Sequence, residues 1–250
     1  MAKKIALINE KGGVGKTTIC FNLSKGLAAM GFKVLTIDND PQANLTISMV
    51  DSEDSLQLTT LDVYNEDVDK RPVAIDDNLD FIGTNKNLSG VVDRQPMDVW
   101  HQLQIYIEDV ESQYDYIFMD CCPTFGALNI AAMIASDYIL TPVKPAPYSM
   151  DGLMKVTEDI KKMRKKRLNP DLKFAGIIFN LVENTTLHRK MMNVVKEMFG
   201  DLVFFQKIPR GTKLEESPFY NQSIFEYDQK SKVSILYKAV IKEFIRRIDA

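Results

Sequence analysis

The sequence predicts an α/β protein: a doubly wound, mostly parallel sheet with helices on both faces. Three observations carry that reading. Apolar, β-branched segments alternate with helix-compatible ones along the 250-residue chain, the pattern of strand–helix–strand units. Several strand segments are continuous apolar runs, as in strands covered on both faces. The first of them leads into a glycine-rich loop and then a helix, an arrangement suited to binding phosphate at the carboxyl edge of such a sheet. Strands are expected at 3–9, 33–38, 79–83, 116–120, 138–143, 174–180 and 202–205, and helices at 17–30, 97–112, 128–135, 150–167, 187–199 and 232–248. The acidic stretch 51–78 is expected to be solvated surface with a short helix at 61–65. No internal repeat and no linker rich in Pro, Gly or Ser divides the chain, so residues 1–250 are read as a single domain.

The first strand, containing Ile5-Ala6-Leu7-Ile8, precedes Lys11-Gly12-Gly13-Val14-Gly15-Lys16-Thr17-Thr18. Glycines are needed there because a chain without Cβ atoms can curl its N–H groups inward around phosphate oxygens. The following helix adds partial positive charge at its first turn. In such a loop Lys16 reaches the β- and γ-phosphates of a nucleotide and the Thr17 hydroxyl ligates Mg²⁺. The loop departs from the general G-x-x-x-x-G-K-[ST] pattern in having Glu10 at its first position, and a second lysine, Lys11, stands before the glycine pair.

The second strand, Lys33-Val34-Leu35-Thr36-Ile37, runs into Asp38-Asn39-Asp40-Pro41-Gln42-Ala43-Asn44, and the segment Tyr116-Ile117-Phe118-Met119 ends at Asp120. Carboxyl ends of strands in an open α/β sheet face one crevice, so the loop, Asp38, Asp40 and Asp120 are expected to converge. Phosphoryl transfer to water needs charge neutralisation, a metal and a placed nucleophile. Lys16 and Mg²⁺ supply the first two. Asp120 has the position of an acid acting on Mg²⁺ directly or through its water. Asp38 and Asp40 both stand open for placing the nucleophile, and a turn before Pro41 is the alternative use of either.

The pairing of K-G-G-V-G-K-T-T with D-x-D-P-Q-x-N resembles the ParA/Soj partition ATPases, in the wider MinD-like group of deviant P-loop proteins. Three further stretches agree. Tyr116 to Asp120 looks like the group's Walker B strand, Ala135-Ser136-Asp137-Tyr138-Ile139-Leu140-Thr141-Pro142-Val143 like its next strand, and Ile208-Pro209-Arg210 with Ser217-Pro218 like its adenine-side loop. The resemblance spans essentially the whole chain. It implies ATP as the nucleotide, Asp40 as the water-positioning acid, and Asp38 near the metal held by Thr17 and Asp120. It implies that Lys11 reaches across a nucleotide-sandwich homodimer to the partner's phosphates, and that Asn180, Pro209 and Arg210 meet the adenine. It further implies sequence-independent DNA binding by the ATP-bound dimer, a ParB-like adaptor that stimulates slow hydrolysis, and a cytoplasmic, nucleoid-associated location.

The net charge of −3 conceals segregation of charge. Against the acidic 51–80 stand Lys161, Lys162, Arg164, Lys165, Lys166 and Arg167 in one run, Arg189 and Lys190 near a helix start, and Arg246 and Arg247 near the end. These are the candidate DNA contacts, with a solvated helix face as the plainer reading of the 161–167 run. No helix-turn-helix segment fits ahead of the first strand, so operator binding by an N-terminal domain is not expected. Three cysteines, Cys20, Cys121 and Cys122, suggest neither a disulfide framework nor a zinc site, and they read as small buried side chains. No apolar run is long enough to span a membrane and no signal-peptide pattern precedes the first strand.

Two rival readings remain. A MinD-like membrane-associated ATPase would need the stripe Ile235, Leu236, Ala239, Val240, Phe244, Ile245 and Ile248 as its membrane helix, but that spacing fits a core helix and no basic amphipathic tail follows. A nucleotide-dependent scaffold with decayed hydrolysis is disfavoured by the presence of Lys11, Lys16, Thr17, Asp40 and Asp120 together.

Overall fold

A computed structural model of the chain describes residues 1–249. Seven strands, β1 (Lys3–Leu7), β2 (Val34–Asn39), β3 (Val73–Asp76), β4 (Leu79–Ile82), β5 (Tyr116–Cys121), β6 (Tyr138–Val143) and β7 (Lys173–Phe179), form one sheet in the order β3-β4-β2-β5-β1-β6-β7. All pairings are parallel except β3 with β4. The doubly wound α/β fold is therefore as expected, with an antiparallel strand added at one edge.

The two faces of the strands fill two cores. Along β1, Ile5 and Leu7 turn to one side with Phe118 and Leu140, while Ala6 and Ile8 turn to the other with Ile117 and Met119. On the first side lie α1 (Lys16–Ala28) and α10 (Lys232–Ile248). On the second lie α4 (Gln102–Val110), α5 (Ala127–Ala135) and α6 (Ser149–Lys165). α7 (Thr186–Phe199) packs Met192 and Val195 against Ile177 and Phe179 of β7. Of the α10 stripe, Val240, Phe244 and Ile248 are buried with Tyr237 and Ile241, and Leu236 and Ile245 pack against them, whereas Ile235 is exposed. No helix among the described residues is long and apolar enough to cross a membrane.

Three departures from the expected elements have local causes. Residues 202–205 do not form a strand: a 3₁₀ turn, Gly200–Leu202, is followed by one bridge between Val203 and Ile177. The chain then leaves the sheet because the Phe205 N–H turns to the Glu243 carboxylate, 3.0 Å away. β3 arises within the stretch read as surface, as one arm of a tight hairpin with β4. The expected helix at 97–112 starts later, after a 3₁₀ turn at Pro96–Asp98. Short helices α2 (Asn44–Met49), α3 (Thr60–Tyr64), α8 (Thr212–Glu216) and α9 (Ile224–Tyr227) complete the chain, with α3 matching the short helix expected at 61–65.

Candidate active site

The glycine loop sits between β1 and α1 at the carboxyl edge of the sheet. Gly13 (φ 69°) and Gly15 (φ 87°) hold left-handed conformations that side chains disfavour. Gly15 is constrained twice, since a Cβ there would lie 2.1 Å from the Asn180 side-chain nitrogen. No acidic residue occupies the first turn of α1, so its N–H groups and partial positive charge remain open to an anion.

Three charged groups and one hydroxyl converge beneath this loop. Lys16 is buried and its Nζ donates to the Asn9 carbonyl at 3.1 Å. The Thr17 hydroxyl donates to Asp120 Oδ2 at 2.7 Å, while Asp120 Oδ1 is buried without a partner. Asp38 and Asp120 are directly opposed on β2 and β5. Burial, and then the neighbouring acid, raise Asp120 well above the carboxylate range, with Thr17 and Lys16 opposing. Burial likewise pushes Asp38 up to about 7 against the hydrogen bonds it accepts. Two buried acids facing each other favour a cation beside them. Among the described residues no three His, Cys, Asp or Glu side chains are grouped for a metal. A cation held by Thr17 and Asp120 would therefore need oxygens from phosphate or water to complete its shell.

A cavity of about 500 Å³ opens over the loop, lined by Gly12, Gly13, Gly15, Lys16, Thr17 and Thr18 on one side and by Asp40, Gln42, Asn44, Ile47, Ser48, Pro123, Pro218 and Phe219 on the other. That volume suits a small ligand. Asp40 lines it, with Oδ1 accepting the Gln42 N–H at 3.0 Å, so the acid also holds a turn. Asp38 lies outside the lining. Its Oδ2 accepts both the N–H and the hydroxyl of Thr46 at 2.8 Å, and its Oδ1 accepts the Asp40 N–H at 3.2 Å. Asp38 thus anchors α2 through Thr46 while facing Asp120 across β2 and β5.

Val14 is buried behind the loop, and its carbonyl accepts the Asn180 amide at 3.0 Å. Asn180, Pro209 and Arg210 lie outside the cavity lining. Asn180 is buried and its Oδ1 has no partner. Pro209 bridges to Val182 beyond β7, and Arg210 is exposed with Glu215 at 3.2 Å and Glu183 at 3.7 Å. Lys11, half-buried, also stays outside its own chain's cavity, and its Nζ has no hydrogen-bond partner among the described residues. Sequence reasoning does not single out Ile47, Ser48, Pro123 or Phe219. Asp40, Gln42, Asn44 and Pro218 of that wall fall in motifs that mark a site.

The basic candidates are dispersed. Lys161, Lys162, Arg164 and Lys165 end α6 and, with Lys166 and Arg167, are exposed. Lys162 pairs with Asp159 at 3.0 Å, and Arg164 Nε donates to the Leu172 carbonyl at 2.7 Å. Arg189 and Lys190 are exposed in the first turns of α7, as is Arg246 in the last turn of α10. Arg247 differs. Its guanidinium bonds Glu243 at 2.7 Å and the carbonyls of Asp201 and Val203 at 2.7 and 3.0 Å, and it covers the Phe204 ring. It ties α10 to the turn after α7, so its donors are already engaged within the chain. Cys20 and Cys121 are buried and Cys122 partly so, and all three are free thiols.

The sequence and the fold both have relatives among known proteins. A family profile described as an AAA domain matches residues 2–174. The chain is 33% identical over 249 residues to the sporulation initiation inhibitor protein Soj of Bacillus subtilis, covering 97% of this chain and 98% of that protein. It is 31% identical to the chromosome partitioning protein ParA of Caulobacter vibrioides, covering 97% and 94%. Among solved structures, cobyrinic acid a,c-diamide synthase from Mycobacterium smegmatis with bound ADP and magnesium superposes with a TM-score of 0.83 at 25% identity, covering 100% of this chain and 96% of that one.

Proposed function

The chain belongs to the AAA-domain family and, within it, to the ParA/Soj-like partition ATPases, and from that premise we propose that it is a DNA-partition ATPase. Its ATP-bound homodimer holds DNA without sequence preference and releases it after hydrolysis stimulated by a ParB-like adaptor. The observation that carries this reading is the division of labour between two lysines. Lys16 is buried under the loop, whereas Lys11 stands outside its own cavity with an unengaged ammonium. A lysine so placed suits a second chain's phosphates, as an arginine finger supplied in trans does.

Within each protomer the loop N–H groups and Lys16 bind the phosphates of ATP. Thr17 and Asp120 fit Mg²⁺, since a hydroxyl and a buried acid with one free oxygen stand together; the ion would supply charge neutralisation at the phosphates. Asp40, in the cavity wall, orients the attacking water. The unpartnered Asn180 Oδ1 is the acceptor that an adenine amino group needs, with the Pro209 and Arg210 backbone beside the base. Arg189, Lys190 and the exposed bases at 161–167 and 246 supply phosphate contacts to DNA, doubled in a dimer.

The test is retention on random-sequence duplex DNA, compared with anionic liposomes. Retention with ATP and Mg²⁺ but not with ADP, and none on liposomes, supports the proposal. Liposome capture without DNA retention would favour a membrane-associated ATPase, a reading that the burial of Val240, Phe244 and Ile248 in α10 opposes.

A further inference from the structure

Lys11 has a free side chain but a tethered backbone, and the tether is a residue that no motif marks. Asn9 is buried between β1 and the loop. Its Nδ2 donates to the Pro142 carbonyl of β6 at 2.8 Å, and its Oδ1 accepts the Lys11 N–H at 2.9 Å. Its own carbonyl receives Lys16 Nζ at 3.1 Å. One residue therefore meets both lysines, Lys11 through its side chain and Lys16 through its main chain. The amide is walled in, because a Cβ on Gly152 of α6 would come within 3.0 Å of Asn9 Oδ1. The next residue, Glu10, is held by Lys155 of α6 at 2.8 Å.

We propose that Asn9 is the positioning residue for Lys11: it transfers the rigidity of β6 to the loop and aims the free lysine outward. The amide group suits this use. A single planar group offers a donor to Pro142 and an acceptor to Lys11, and burial keeps water from competing for either. The inference rests on the trans-acting reading of Lys11 given above. It separates the two lysines, since truncating the side chain leaves the carbonyl that meets Lys16 in place.

The experiment compares the full-length Asn9→Ala and Lys11→Ala proteins with the parent in three measurements. These are ATP affinity of the monomer by calorimetry, ATP-dependent dimerisation by light scattering, and hydrogen exchange at the Lys11 amide. Asn9→Ala is expected to keep ATP affinity within about threefold and to weaken dimerisation about tenfold, the scale of one buried hydrogen bond. The Lys11 amide is expected to exchange at least about tenfold faster. Gly152→Ala favours the helix but crowds Asn9 Oδ1, so it should weaken the dimer in the same direction without lowering the melting temperature. Should Asn9→Ala not fold, Gly152→Ala carries the test, and parental dimerisation there overturns the proposal.

Failure of the two readings is distinguishable. Normal dimers from Lys11→Ala overturn the role of Lys11 and this proposal with it. Loss of dimers in Lys11→Ala but not in Asn9→Ala overturns the positioning role alone. Equal loss of ATP affinity and dimerisation in Asn9→Ala makes the residue a general support of the loop and overturns it too.

Discussion

The Thr17 hydroxyl donates to Asp120 at 2.7 Å across the α1–β5 boundary, and the acid's other oxygen is buried with no partner. That half-satisfied carboxylate is destabilising unless a cation joins it. Replacing Asp120 by Asn is therefore expected to weaken Mg²⁺-dependent ATP binding at least about tenfold while leaving the nucleotide-free protein as stable or more so. Titration of Mg²⁺ against bound ATP, together with urea unfolding, checks both halves. Parental Mg²⁺ dependence would remove Asp120 from the metal site.

Asp38 is expected to behave oppositely. Because it accepts three hydrogen bonds and anchors α2 through Thr46, Asp38→Ala leaves buried donors unpaired and should cost about 1–3 kcal/mol. The loss should be the same with and without Mg²⁺. Denaturant unfolding in both conditions decides it, and a loss seen only with Mg²⁺ would give Asp38 a metal role instead.

Two arginines separate DNA binding from folding. Arg189→Ala should lower affinity for all duplex sequences alike and flatten the log–log salt slope by roughly 0.9 for each phosphate no longer neutralised. Arg247→Ala should instead lower the melting temperature, since its guanidinium joins Glu243, Asp201 and Val203. A steeply reduced salt slope in Arg247→Ala, at unchanged stability, would contradict its structural role.

Acid should loosen the contact between α1 and α9. Burial alone would raise the Glu226 carboxyl, but the Ser223 hydroxyl and N–H and the Lys25 ammonium outweigh it and hold it below its usual 4.5. The unfolded chain then binds the proton more readily. Stability from this group is present above pH 4.5 and is lost as pH falls through the folded value. Glu226→Gln should flatten the acid limb of a melting-temperature profile, and an unchanged limb would show the pair to be screened.

The layered fold was legible because buried parallel strands leave apolar runs and glycines punctuate the loop. What was missed depended on partners distant in sequence. Phe204 looks like a strand residue, yet the segment leaves the sheet at Phe205 because Glu243 takes its N–H. Val73-Ala74-Ile75 is a short apolar, β-branched run, and Asp77-Asn78 before Leu79 is a turn signal; the acidic surroundings masked both. At the site, the convergence of Lys16, Thr17, Asp40 and Asp120 could be read from strand ends. The division of Asp38 from Asp40 could not, because it is set by Thr46, eight residues past Asp38. Asn9 carried no signal beyond its place before the loop.

Mixing two inactive proteins asks whether Lys11 acts in trans. Lys11→Ala keeps Asp40 but lacks the trans-acting lysine, whereas Asp40→Asn keeps the turn and Lys11 but cannot orient water. Each alone is expected to show no turnover. In a mixed dimer the Lys11→Ala protomer's site receives Lys11 from its partner, so one site in two is complete. Equal mixing should restore at most roughly a quarter of parental ATP turnover, the figure for random pairing with one competent site per mixed dimer, and less where the missing Lys11 weakens that dimer. No recovery at any mixing ratio, with mixed dimers present, would mean that Lys11 serves its own chain and would refute the trans-acting role.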